Sequence, residues 1–250
     1  MDVQIASATS RFSDRVLRFL ERVEHRVAKT PAEREAAYRL RYEAYIREGR
    51  IEPRADRRLH EERYDDAPNC RIMTTFIEGE LAGTTRVHVA SDESAVLPSL
   101  AAFSDLIAPH LHLGRVMTDF TRTAARLEFS KHFPELPYVI LRPAFLASAY
   151  FDADFAIAMA RAERVAFFRR VFCFAPWCEP RDYPDFMAKV ACMGADFRAV
   201  HERIEARYPF FRSTAAEREA LFGSLGDAAV DLSQAMSGRR RFETQASAAP

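Results

Sequence analysis

Two strand-patterned runs, RIMTTFI and LAGTTRVHV, are separated by nothing but the turn Glu78-Gly79-Glu80. A turn this short forces its flanking strands to pair antiparallel, so this part of the chain is committed to a sheet. Alternation along the second run sets Thr85, Val87 and Val89 on one face and Thr84, Arg86 and His88 on the other. A third strand is predicted around 115–123, within GRVMTDFTRTAA, and it is polar where a structural strand would be apolar. A period of two puts Asp119 and Thr121 on one face, Phe120 and Arg122 on the other. A buried carboxylate is costly unless paired or hydrogen-bonded, so Asp119 requires a partner or a chemical role.

Helical patterns surround these strands. Residues 10–29 read as an amphipathic helix with Ser10 as cap, an apolar stripe of Phe12, Val16, Phe19, Leu20, Val23 and Val27, and arginines 15, 18, 22 and 26 opposite. That basic face is either a solvated side of a docked helix or a landing surface for an acidic partner or a membrane. Thr30-Pro31 opens a second helix with Glu33 in its first turn. Arg41 lies on that helix's apolar face with Ala37, Leu40, Ala44 and Tyr45, and must meet a carboxylate or a polar ligand there. Residues 46–69 lack periodicity, a length of loop that is often functional. Further on, 137–150 reads as a helix bent by Pro143, 155–161 as a strand, ERVAFFRRVF as a helix, DFMAKVACMG as a strand, and 198–207 and 214–235 as helices. The predicted division is an N-terminal helix in 1–30, one domain over 31–213, a helix at 214–235 and a disordered tail at 236–250.

Composition narrows the function. With 36 basic and 36 acidic residues the chain has no bulk charge for nucleic acid, which is not expected as a partner. The 4 cysteines show neither metal-ligand nor disulfide spacing and read as reduced thiols, and no HExxH or CxxC supports the 7 histidines, so no metal is expected. No stretch suits an integral membrane segment. The 20 phenylalanines against a single tryptophan fill core or line a lipid-shaped cavity.

The pieces YRLRYEAY, ERYDDAP, LAGTTRVHV, LPSLAAF and MTDFTR, followed by ERVAFFRRVFCF, stand in a fixed order over roughly residues 35–195. In that order the chain resembles the N-acyl amino acid synthases and the autoinducer (acyl-homoserine-lactone) synthases, both of the GCN5-related N-acyltransferase fold. The resemblance implies an α/β (α+β) architecture with a central, mixed, mostly antiparallel sheet flanked by helices. It also implies Glu62 and Asp65 as the acidic pair after the early helix, Arg41 and Arg86 as its arginines, and Asp119, Thr121 and Arg122 as the family's E-x-S-R, here D-F-T-R. Phe168 stands where related acetyltransferases place tyrosine, which removes a hydroxyl that could protonate the leaving thiolate.

The implied reaction is attack of an amine on an acyl thioester, with Asp119, Glu62 and Asp65 as catalytic candidates and Arg41, Arg86, Thr121, Arg122 and Phe168 as substrate-binding ones. Asp119 either takes the amine's proton or is an ion-pair partner of Arg41 or Arg86. The expected activity is transfer of a long acyl chain from acyl carrier protein, or acyl-CoA, to the amine of an amino acid, with no permanently bound cofactor. TRTAARLEF, after the polar strand, has no glycine for a phosphate loop, which favours a carrier protein meeting basic residues such as Arg15, Arg142, Arg169 and Arg170. Acyl-homoserine-lactone synthesis from S-adenosylmethionine and a non-catalytic lipid- or partner-binding domain are the alternatives. The expected location is the cytoplasm, with attachment to a membrane surface left open.

Overall fold

The chain opens with helix α1 (Asp2–Leu20) and, after a turn in which Arg22 N–H donates to Phe19 O, continues as an edge strand, β1 (Val23–Val27). A computed structural model describes residues 2–223 apart from 93, 95 and 185, and residues 2–10 by backbone alone. One helix over 10–29 is therefore corrected: Ser10 lies inside α1 and Val23 and Val27 belong to the sheet. V-E-H-R-V fits both periods, and the free edge of the next strand decides between them. Arg15 pairs with Glu135, which docks α1 on the domain, and Arg22, in the turn after it, pairs with Glu78.

Helix α2 (Pro31–Arg47) starts as expected. Thr30 Oγ1 accepts the Glu33 N–H at 3.2 Å while the Glu33 carboxylate accepts the Thr30 N–H at 2.9 Å, a reciprocal cap. The loop after it contains one short helix, α3 (Glu62–Asp65). Strands β2 (Cys70–Ile77) and β3 (Glu80–Ala90) then form the hairpin, whose turn residues Glu78 and Gly79 take φ of 51° and 84°, the left-handed pair that matches strand twist. Helix α4 (Leu100–His112), strand β4 (Met117–Ala125), and helices α5 (Leu127–His132) and α6 (Leu136–Tyr150) follow, with Pro143 inside α6.

Strand β5 (Phe155–Ala160), helix α7 (Ala162–Phe172), the two-residue strand β6 (Ala175–Pro176), strand β7 (Ala191–Asp196), and helices α8 (Phe197–Arg207) and α9 (Ala215–Phe222) complete the order. The last strand begins later than DFMAKVACMG implied. Residues 224–235 of the expected final helix, and the tail, lie outside the described residues.

The sheet has seven strands in the order β1-β2-β3-β4-β5-β7-β6, antiparallel everywhere except at β4–β5. Val87 and Phe120 face the large core built on α6, and Met117 and Ala124 face the opposite layer of α4 and α2. The parallel pairing of β4 and β5 ends at Phe120↔Ala158, whereas β5 stays paired with β7 to Ala160↔Ala191. From Phe120 onward the two central strands diverge and open a cleft in the middle of the sheet. Among the described residues no helix is long and apolar enough to cross a membrane.

Candidate active site

The cleft is shaped by a bulge. Arg86 lies opposite Thr121 and Thr84 opposite Ala124, so Thr85 alone spans Arg122 and Thr123, and Arg122 takes φ of 52°. The extra residue resets the alternation. Arg122 joins Thr121 on the face that carries Arg86, while Thr123 turns to Thr85 on the other face, with their hydroxyls 3.0 Å apart. Strict alternation had placed Arg122 beside Phe120, and the bulge corrects this.

The three arginines converge on two carboxylates from the irregular loop. Glu61 takes the Arg122 fork through both oxygens, with Nε at 2.5 Å, and also accepts from Arg86 Nη1 at 2.9 Å. Asp65 accepts from Arg41 Nη1 at 2.7 Å, lies 3.3 Å from Arg86 Nη1, and ties its other oxygen to the Glu61 backbone N–H. Arg86 Nε donates to Thr121 Oγ1 at 3.0 Å. Phe186 covers the Arg122 guanidinium at 4.7 Å and Tyr64 covers that of Arg86 at 5.3 Å. Burial works to raise the Glu61 carboxyl, but the charges of Arg122 and Arg86 overcome it and hold it at about 2. Asp65 is likewise held well below the usual carboxylate range, with Arg41 and Arg86 outweighing its burial. Both stay ionised at neutral pH and are weak bases, which suits them to holding the arginines.

A cavity of about 290 Å³ opens along the divergence of β4 and β5. At one end are Arg86, Thr121, Arg122 and Tyr183. Along the other run Phe120, Phe133, Ile140, Leu141, Phe167 and Phe168, supplied by β4, α6, α7 and the loop before α6. The Phe168 ring stacks on Phe174 with planes 10° apart and forms part of this apolar wall. Arg47, Arg50, Arg161 and Arg164 stand at its rim with one carboxylate, Glu48.

Of the residues expected from sequence, Arg86, Thr121, Arg122 and Phe168 line the cavity. Arg41 and Asp65 are fully buried behind it. Glu62 is exposed, and its neighbour Glu61 reaches the arginines instead. The reason is helical phase: Glu61, the N-cap of α3, and Asp65, its last residue, stand four apart and share the face turned to the sheet. The i, i+4 spacing in EERYD was the available signal. Arg142, expected on the basic surface, is buried in α6, donating to the carbonyls of Phe210 and Arg212 and pairing with Glu217.

Asp119 is fully buried and is not among the residues that line the cavity. One oxygen accepts the Ser99 backbone N–H at 2.9 Å, and the other makes no hydrogen bond among the described residues. Its expected pairing with Arg41 or Arg86 is absent there: Arg41 turns Nη1 to Asp65, and Arg86 turns Nη1 to Glu61 and Asp65. Burial, only partly offset by the Ser99 N–H, the Ser99 side chain and the Arg86 charge, pushes the Asp119 carboxyl up to about 6.

The family model for N-acyl amino acid synthase FeeM matches residues 36–196. Among solved structures, FeeM, an N-acyl amino acid synthase from uncultured soil microbes, superposes with a TM-score of 0.63 at 15% identity, covering 76% of this chain and 98% of that one. BjaI, a CoA-dependent acyl-homoserine lactone synthase solved with MTA, gives 0.53 at 14% identity, covering 75% of this chain and 90% of its own. No curated protein matches the sequence. At these identities the structural likeness speaks for the fold, which is that of the GCN5-related N-acyltransferases, and the family model speaks for the rest. The chain belongs to the N-acyl amino acid synthase FeeM family and is an N-acyltransferase.

Proposed function

We propose that this N-acyltransferase moves a long acyl chain from a carrier-protein thioester to the amine of an amino acid. The observation that carries the reading is the two-ended cavity: an aromatic and aliphatic limb meets an arginine-lined end along the opened strands. The acyl chain occupies the limb, where each buried methylene is worth about 0.8 kcal/mol. At the other end Arg86 and Arg122, with Arg41 buried behind them, face Glu61 and Asp65, three cations against two anions, and a carboxylate on the acceptor completes the balance.

The chemistry follows from proton accounting. The acceptor arrives as an ammonium and loses one proton before its nitrogen can attack. That proton passes through water to Asp119, two residues before Thr121 on the same strand face and about 7 Å from it along the strand. A carboxyl near 6 suits a base working close to neutrality. Attack forms the C–N bond, and the oxyanion is received by β4 backbone N–H groups beyond Phe120, where β5 no longer pairs with β4. Collapse breaks the C–S bond, the nitrogen's second proton goes to the thiolate, and Asp119 later returns its own to solvent. With phenylalanine at 168, the thiolate leaves without a tyrosine acid, which a thiol of pKa about 8.5 tolerates. The rim arginines, in excess over Glu48, suit an acidic carrier.

The test presents acyl carrier protein and CoA thioesters of increasing chain length with a mixture of amino acids, and S-adenosylmethionine in a separate arm. Thiol release and product mass are followed independently. N-acyl amino acid formed faster from the carrier, and more slowly as salt rises, supports the proposal. Acyl-homoserine lactone from the second arm refutes the acceptor, and equal, salt-insensitive use of both donors refutes the carrier.

A further inference from the structure

On the sheet face beneath α2, α3 and α4, His88 of β3 lies directly opposite Asp119 of β4. Both side chains are fully buried, and directly paired residues on one face have Cβ atoms about 5 Å apart. His88 Nε2 is 2.9 Å from the Tyr64 carbonyl oxygen, which can only accept, so the ring proton sits on Nε2 and Nδ1 presents a lone pair. Burial, reinforced by the Arg86 charge, holds this ring at about 3, so it is neutral throughout the working range.

Three buried side-chain atoms here make no hydrogen bond among the described residues: His88 Nδ1, Asp119 Oδ1 and Ser99 Oγ. Ser99 is adjacent because its backbone N–H holds the other Asp119 oxygen. Two of these atoms are acceptors and the third is a hydroxyl, so they cannot all satisfy one another. One water bound between them would satisfy all three, accepting from Ser99 Oγ and donating to His88 Nδ1 and Asp119 Oδ1. Its remaining lone pair then receives the proton travelling from the cavity. As that O–H bond forms, the water passes its own hydrogen to Asp119 Oδ1 and is left as water.

We propose that His88 is a positioning residue for proton transfer, holding with Ser99 the water that links Asp119 to the acceptor amine. The inference rests on the reading of Asp119 as proton acceptor. The other ionisable groups facing this site include Cys70 of β2, directly opposite His88, Arg86 from β3 and Cys192 from β7, with Asp65 and Tyr64 of α3 and Arg41 of α2 closing over the histidine. Burial keeps Cys70 and Cys192 neutral, and Arg86 and Asp65 keep their charge, whereas Asp119 titrates near neutrality.

The experiment is a pH–rate profile of the full chain with an acyl thioester and an amine acceptor. His88→Gln keeps a donor for the Tyr64 carbonyl and deletes Nδ1, so the carboxylate loses an ordered donor. Its acid-limb midpoint moves up by about one pH unit, with about tenfold lower rate below the midpoint and recovery above it. His88→Asn puts an amide at the Nδ1 position and restores the midpoint, while Ser99→Ala, which keeps the backbone N–H, shifts it as Gln does. A His88→Gln profile identical to wild type, or lowered equally at every pH, overturns the role of His88. If that happens while Asp119→Asn is slowed at least about a hundredfold, only this inference fails. Normal rates in Asp119→Asn remove both readings together.

Discussion

Replacing Asp119 by asparagine separates its energetic cost from its chemical use. The carboxyl is fully buried and sits at about 6, against 3.8 for a free aspartate, so the folded state binds a proton more tightly than the unfolded state between those values. Stability therefore falls as pH rises through about 4 to 6, and above 6 the protein carries the full penalty. Two pH units correspond to about 3 kcal/mol. Asparagine still accepts the Ser99 N–H through its carbonyl oxygen but does not ionise. The variant should be more stable than wild type at pH 8, by up to about 3 kcal/mol, and no more stable at pH 4. Its turnover should nonetheless drop by about 10²–10⁴-fold, less at high pH where more acceptor amine is already deprotonated. Urea unfolding of both proteins from pH 4 to 8, beside the rate measurement, is the assay. An asparagine variant destabilised by about 3–5 kcal/mol at pH 8 would show that Asp119 balances a buried arginine, and the reasoning would be wrong.

Glu61→Gln should cost about 3–5 kcal/mol in denaturant unfolding, because it leaves Arg86 and Arg122 without their shared counter-charge. Glu62→Gln, its exposed neighbour, should stay within about 0.5 kcal/mol. With Glu61 held at about 2 against its ordinary 4.5, its stabilising contribution is complete above pH 4.5 and lost as pH falls towards 2; acid unfolding of wild type beside the Gln variant measures this. Gly83→Ala would set a Cβ 2.3 Å from Ile140 Cδ1 and push that side chain towards the cavity it lines. Its kcat/KM for the longest acyl donors should fall by about fourfold per methylene excluded, read from a chain-length series. Arg142→Met should lower stability by about 3 kcal/mol, since the Phe210 and Arg212 carbonyls and Glu217 all lose their donor; thermal unfolding checks it.

Local chemistry by itself determined a good part of this protein. Thr30, Pro31 and Glu33 specify the start of α2 through bonds that reach only three residues. Glu78 and Gly79 specify the hairpin, and the order of motifs along one chain carries the family, with Asp119, Thr121 and Arg122 already marked by polarity in a strand pattern. What the tertiary structure decided depends on partners far away in sequence. Whether 23–27 is helix or strand turns on the open edge of β2, which no local period reports. That Arg122 shares a face with Arg86 turns on one extra residue in the pairing of β4 with β3, and a one-residue change of register reverses a side chain. The choice of Glu61 over Glu62 belongs to the phase of a four-residue helix docked on that face, and the burial of Arg142 to carbonyls some seventy positions later. Asp119 shows the division most directly. Its sequence position required a partner or a role, but only the folded chain could assign the two arginines to other carboxylates and leave this one buried, half satisfied and near neutrality.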